Sequence, residues 1–287
     1  VAGRPFTGYY INLERSRERR ARIEGQLARF LPDLRYQRFA AIDGATLARG
    51  SLSAGAAGCF RSHLALLEAA GEPATDLHIL EDDASFSAGT GPAILRLAAS
   101  NVLETFDLVF TDIFVPLELP EAAFYYRLYA SSASQGARDP AQMPIHLIDL
   151  KHRPWGCTTS YFVARHAVRR LAALLREAFD AGPRQPVDLV LRELVNAGRL
   201  RAAVLFPFIT SLNLETASES TIHAEADIDA ARSRLACGLL RHLFSVAPDE
   251  ALVRRLIEEH FSPPPGSQAQ ALAALLGYAV YGGFRAY

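Results

Sequence analysis

A chain of 287 residues with 50% hydrophobic content can bury one large core or two modest ones, and it reads as globular. Its 30 basic and 31 acidic residues leave a formal net charge of -1, so no global field recruits nucleic acid or an anionic membrane. Cys59, Cys157 and Cys237 are odd in number and far apart, without paired zinc spacing; they argue against a disulfide scaffold and for a reducing compartment. Val1 to Phe6 lacks the pattern of a secretory signal, and no stretch reaches the roughly 20 apolar residues of a spanning helix, so the cytoplasm is the expected location.

Apolar runs alternate with helical periods to about residue 210, an order that suggests βα units around a mostly parallel sheet. Tyr9 to Leu13 reads as the first strand, Ser16 as the cap of a helix carrying Ile23, Leu27 and Phe30, and Tyr36 to Phe39 as a second strand. Asp43-Gly44 marks a turn. Ser62 to Ala70 is helical, Leu77 to Leu80 is a buried strand, and Asp107 to Thr111 is another strand. Residues 112 to 144 show little pattern. Thr159 to Val163 then reads as a strand, followed by a helix with Val168, Leu171, Leu175 and Phe179 on one stripe. Another helix starts near Asp188, and Ala203 to Phe206 resembles a last strand.

From Ile228 the pattern is helical only, with Leu235, Leu239 and Leu243 on one face and Leu252 with Leu256 on the next. This divides the chain into residues 1–227 and a helical C-terminal appendage, 228–287. The uncharged run from Ala271 to Phe284 is too short to cross a bilayer and fits a buried helix; an interfacial anchor or a homodimer contact is the alternative.

The most informative stretch is Ile79-Leu80-Glu81-Asp82-Asp83, an apolar strand that delivers three carboxylates into one turn. Ligands of open α/β sheets bind beyond the carboxyl ends of strands, which is where these acids fall. A hard divalent ion such as Mn²⁺ or Mg²⁺ takes oxygen ligands and keeps positions for substrate phosphates, so the cluster points to a phosphate-bearing substrate. On an extended segment Glu81 and Asp83 face one side and Asp82 the other, so that one acid holds metal while its neighbour accepts from a sugar hydroxyl. A solvated turn is the bland alternative.

Four separated blocks resemble one family, glycosyltransferase family 25, which includes lipooligosaccharide and collagen galactosyltransferases. They are Tyr10-Ile11-Asn12-Leu13 with Ser16 and Arg19-Arg20; Ala40-Ala41-Ile42-Asp43-Gly44; Gly58-Cys59-Phe60-Arg61-Ser62-His63 followed by Ile79 to Asp83 and Phe86; and Gly156 through Tyr161 with Pro186-Val187-Asp188. The resemblance runs from about residue 6 to 222. It implies a GT-A-like (Rossmann-type) mixed sheet flanked by helices, a UDP-sugar donor, a divalent metal and an inverting transfer. Leu67 stands near where many members carry tryptophan, and Cys157 interrupts a common Gly-Thr pairing; both bear on acceptor and donor preference.

An inverting transfer needs a base for the acceptor hydroxyl, and Asp188, fixed by Pro186 just before it, is the first choice; a helix N-cap is its alternative role. Asn12 and Asp43, near strand ends, could bond uracil or ribose, and Arg19 or Arg20 could contact phosphate, although arginines here could equally form a solvated helix face. Family position gives Ser62 and His63 a donor-site role over a structural one, and Asp82 joins the donor contacts. Glu81 and Asp83 are the metal ligands, with His223 a third on a late loop that could fold over the diphosphate. Trp155 could offer its ring to a sugar, or pack in the core.

The reading is therefore a metal-dependent hexosyltransferase that moves galactose from UDP-galactose onto a lipooligosaccharide, lipopolysaccharide or other envelope glycan. Arg-rich, Lys-poor, Ala-rich composition suggests a bacterial source, and a glycolipid acceptor would bring the enzyme peripherally to the inner membrane. The competing classes are a glycoside hydrolase, whose carboxylates flank the bond at about 5 to 10 Å rather than crowding one turn, a metal phosphodiesterase without its histidine set, and a non-catalytic carbohydrate-binding or adhesion module.

Overall fold

Strand β1 (Phe6–Asn12) lies between β2 (Tyr36–Ala40) and β3 (Asp76–Glu81), parallel to both. The computed structural model describes residues 5–47, 51–115, 119–134, 144–182, 184–214, 228–261, 266 and 268. Four more strands complete a seven-stranded sheet in the order β2-β1-β3-β7-β5-β8-β6, with β5 at Leu108–Phe110, β6 at His146–Asp149, β7 at Ser160–Val163 and β8 at Ala202–Phe206. Three of its pairings are antiparallel: β3 with β7, β7 with β5, and β8 with β6. The sheet is thus mixed, as the resemblance implies, and not the mostly parallel sheet that the order of runs suggests. A two-stranded ribbon joins β4 (Ala84–Ser85) to β9 (Ser211–Leu212).

Strand β3 is buried from Asp76 to Leu80, which accounts for its continuous apolar run. Helix α1 (Arg17–Phe30) joins β1 to β2, and a 3₁₀ turn (Gly44–Thr46) leads to α2 (Ala54–Ala70), which starts earlier than its periodicity shows. Ser53 caps α2, its hydroxyl accepting from the Ala56 N–H at 3.2 Å. The 3₁₀ turn packs backbone to backbone on α2. A Cβ on Gly44 would stand 1.7 Å from the Ala54 carbonyl, and one on Gly58 would stand 2.7 Å from Gly44 N, so both positions require glycine.

Helices α3 (Thr90–Ala98), α4 (Val102–Thr105), α6 (Val168–Asp180) and α7 (Val187–Asn196) flank the sheet. Helix α5 (Leu119–Ser134) occupies the stretch without visible pattern. There Tyr125 is fully buried against Phe206 and Phe208, while neighbouring aromatics spread round the helix and blur any apolar stripe. Trp155 is 1% exposed and packs against Phe110, so it is a core residue and its ring is not offered to a sugar.

Beyond residue 227, α8 (Ile228–Leu243) and α9 (Glu250–Phe261) bury Leu214, Leu239, Val253 and Leu256 together, while Phe244 and Val246 join the main core. Among the described residues no helix is long and apolar enough to cross a membrane. The run from Ala271 to Phe284, and with it the anchor or dimer contact expected there, lies outside the described residues.

Candidate active site

Register builds the centre of the site. Ile11 pairs with Glu81 across β1 and β3, so the next residue of each strand, Asn12 and Asp82, comes side by side at the carboxyl end of the sheet. Asn12 Nδ2 donates to Asp82 Oδ2 at 2.7 Å, and Arg19 from α1 donates through Nε to Asp82 Oδ1 at 2.8 Å. The same guanidinium reaches Asp83 Oδ2 at 3.4 Å. The chain turns at Asp82 and Asp83, so the alternation expected of an extended segment fails: Asp82 does not face away, and all three acids line one cleft. This cleft, about 310 Å³, is closed on its other side by Asp43, Gly44, Cys59 and His63.

Each acid has a different environment. Glu81 Oε1 accepts from the Thr158 hydroxyl at 2.6 Å and lies 3.3 Å from His63 Nε2. Burial opposes its ionisation, yet the His63 and Thr158 contacts and the charge of Arg19 hold its carboxyl below the usual range. Asp83 is pushed up to about 7, first by burial and then by the charge of Glu81. Its Oδ1 is buried without a hydrogen-bond partner. A buried carboxylate oxygen without a donor is what a cation would satisfy, and the all-oxygen pair of Glu81 and Asp83 suits a hard divalent ion. Both Asp82 oxygens are already taken by Asn12 and Arg19.

Other expected contacts separate into those in the cleft and those serving it. Asn12 is 1% exposed and both ends of its amide are engaged, Oδ1 accepting from Arg38 Nε at 3.2 Å; it orients Asp82 and has no free polar atom for a ribose. Ser62 is spent on structure, its hydroxyl donating to the Gly58 carbonyl at 2.6 Å and accepting from the Ile42 N–H at 2.8 Å, which pins the Asp43 turn to α2. Asp43 accepts from the Ala45 N–H at 3.1 Å and pairs with Arg15 at the cleft mouth. The backbone N–H and Arg15 both hold its carboxyl below the usual range. Arg20 is not a cleft residue: it pairs with Glu24 one turn along α1, at 3.1 Å. His223 lies outside the described residues.

Asp188 stands in the first turn of α7, with Oδ2 accepting from the Cys157 N–H at 2.8 Å. It does not cap α7, because Pro186 holds that position. Cys157 has a φ of 81°, and a Cβ on Gly156 would come 2.8 Å from Asp188 Oδ2, so this loop fits the carboxylate closely. Asp188 is near enough to Cys59, a cleft residue, to help raise its thiol pKa after burial and Glu81 have done so.

Several contributors are not legible from spacing. Thr158 and Tyr161 sit in the block from Gly156 to Tyr161, but their partners Glu81 and His63 are 77 and 98 residues away. Arg241 of α8 runs under the site, fully buried with Asp112 and 3.1 Å from Thr159 Oγ1; no local pattern marks it among the arginines of an amphipathic helix.

The model of a family described as glycosyltransferase family 25 (LPS biosynthesis protein) matches residues 6–191. No curated protein matches the chain. Among solved structures, the chain is similar to the crystal structure of a glycosyltransferase involved in the glycosylation of the major capsid of PBCV-1, with 12% identity, 69% of this chain and 80% of that chain covered, and a TM-score of 0.37.

Proposed function

Because the chain belongs to glycosyltransferase family 25, we propose that it transfers galactose from UDP-galactose, with inversion at the anomeric carbon, to a lipooligosaccharide, lipopolysaccharide or other envelope glycan. The observation that carries this reading is the cleft at the ends of β1 and β3, where Arg19 and three carboxylates meet and one buried carboxylate oxygen has no partner. Glu81 and Asp83 would hold Mn²⁺ or Mg²⁺, which offsets charge on a departing nucleotide diphosphate.

The protein's own groups supply the rest. Asp188 keeps one oxygen on the Cys157 N–H and has the other to take the proton of the acceptor hydroxyl. The hydroxyl oxygen then bonds to the anomeric carbon as the bond from that carbon to the UDP oxygen breaks, and UDP leaves with the electron pair. Arg19, braced by Asp82, lends positive charge beside the diphosphate, and Asp43 at the cleft mouth is placed for the nucleoside. The work is cytoplasmic in this reading, with the glycolipid acceptor met at the inner membrane.

Calorimetric titration with UDP, in Mn²⁺ and in chelator, tests the reading before any acceptor is known. UDP binding should need the metal and disappear in Asp83→Asn, and a panel of UDP-sugars with Mn²⁺ should single out the galactose donor by slow hydrolysis. UDP affinity that stays at the wild-type Mn²⁺ value in chelator, or in Asp83→Asn, would refute it.

A further inference from the structure

Cys59 and His63 are four residues apart on α2, so they share one helix face, and that face looks into the cleft toward Glu81 at the end of β3. The Cys59 thiol, a His63 ring nitrogen and a Glu81 oxygen lie within 4.8 Å of one another. We propose that this trio is a second, soft-ion site that takes Zn²⁺ with one sulfur, one nitrogen and one oxygen ligand.

Four observations support it. The donor set is that of zinc, whereas Mn²⁺ and Mg²⁺ prefer all-oxygen surroundings such as the Glu81 and Asp83 pair. Zinc bonds of about 2.0 to 2.3 Å put neighbouring ligand atoms roughly 3.5 Å apart, and His63 Nε2 and Glu81 Oε1 already stand 3.3 Å apart. The remaining separations, at most 4.8 Å, lie within about 1.3 Å of that spacing. His63 is also oriented from behind: its Nδ1 lies 2.9 Å from the hydroxyl of fully buried Tyr161, the arrangement by which metal-binding imidazoles are held in place. Finally, Cys59 lines the cleft, so an ion has a path to the thiol.

On binding, the Cys59 S–H proton goes to solvent and the sulfur lone pair bonds to the ion. With zinc bound, the imidazole proton would sit on Nδ1 toward the Tyr161 oxygen, and Nε2 would ligate the ion in place of its contact with Glu81 Oε1. Glu81 would be common to both sites, so zinc would withdraw it from the hard-ion site and oppose Mn²⁺. The inference does not rest on sugar transfer, since metal alone reads it out.

Co²⁺ added to the metal-free protein should give a thiolate-to-cobalt charge-transfer band that Zn²⁺ bleaches, that Cys59→Ser abolishes, and that Asp83→Asn keeps. Tyr161→Phe should weaken Zn²⁺ by about 10- to 100-fold, read by competition against the cobalt band. As a test in the unaltered chain, one equivalent of Zn²⁺ should shield Cys59 from alkylation, with Mn²⁺ giving no shielding. A cobalt spectrum without the thiolate band, or Cys59 alkylated at the same rate with and without Zn²⁺, would overturn the site. UDP binding that persists in Asp83→Asn would refute the transfer reading and leave this site standing, so the two readings fail separately.

Discussion

Arg241→Met removes one partner of a fully buried ion pair and leaves the other. The Asp112 side chain is 0% exposed and that of Arg241 5% exposed; Nε donates to Asp112 Oδ2 at 3.1 Å and a second guanidinium nitrogen contacts the same oxygen. Asp112 Oδ1 has no hydrogen-bond partner even in the intact protein, so without Arg241 the carboxylate has nothing to offset its charge. Burial opposes the Arg241 charge, but Asp112 more than compensates and raises the guanidinium pKa. Methionine keeps the apolar stem, so the change isolates the charge. Stripping one member from such a pair costs about 3–5 kcal/mol. At about 2 °C per kcal/mol, the low end for larger domains, the Tm should fall by about 6–10 °C. Thermal melts followed by circular dichroism, supported by urea titration at neutral pH, measure this. The double variant Asp112→Asn/Arg241→Met should recover at least half of the loss, because no buried charge remains. A single variant that melts within about 1 °C of the parent, or a double variant no better than the single, would refute the reasoning.

Three further substitutions test the site and the core. Asp188→Asn should lower kcat by about 10²- to 10⁴-fold with UDP affinity intact, and Gly156→Ala, whose new Cβ would crowd Asp188 Oδ2 at 2.8 Å, should lower kcat in the same direction; wild-type turnover in Asp188→Asn would eliminate it as the base. His78 is fully buried, bonded to Tyr36 at 2.7 Å and Ser160 at 3.0 Å and stacked on Phe162, and burial depresses its pKa to about 3. The unfolded chain binds this proton below about pH 6.5 and the folded one only near 3, so the stability His78 gives is complete above 6.5 and drains as pH falls between those values, by up to about 1.4 kcal/mol per unit. His78→Gln should flatten that part of the urea-denaturation profile, and an unchanged slope would show that other groups carry it.

What the sequence alone determined follows from local signals. The apolar run into Glu81-Asp82-Asp83 announces a buried strand and an acidic turn, because a strand covered on both faces must be apolar and must end where polar groups reach solvent. The Asp43-Gly44 turn, the helix opening at Asp188 and the block around His63 were legible for similar reasons, and their joint order carried the family resemblance. Strand direction was not legible, since a four-residue apolar run such as Ser160–Val163 reads alike in either sense. Nor was α5, where aromatic side chains on several faces leave no stripe.

Only the tertiary structure decided what each polar side chain faces. It turned Asp82 into the cleft by setting Asn12 and Arg19 beside it, spent Ser62 on the Ile42 backbone, sent Arg20 to Glu24, and closed Trp155 into the core against Phe110. It also brought Arg241 to Asp112 across 129 residues of chain. Local periodicity records which side of an element meets the core, but the partner of a buried charge or hydroxyl arrives from elsewhere in the chain, and packing alone selects it.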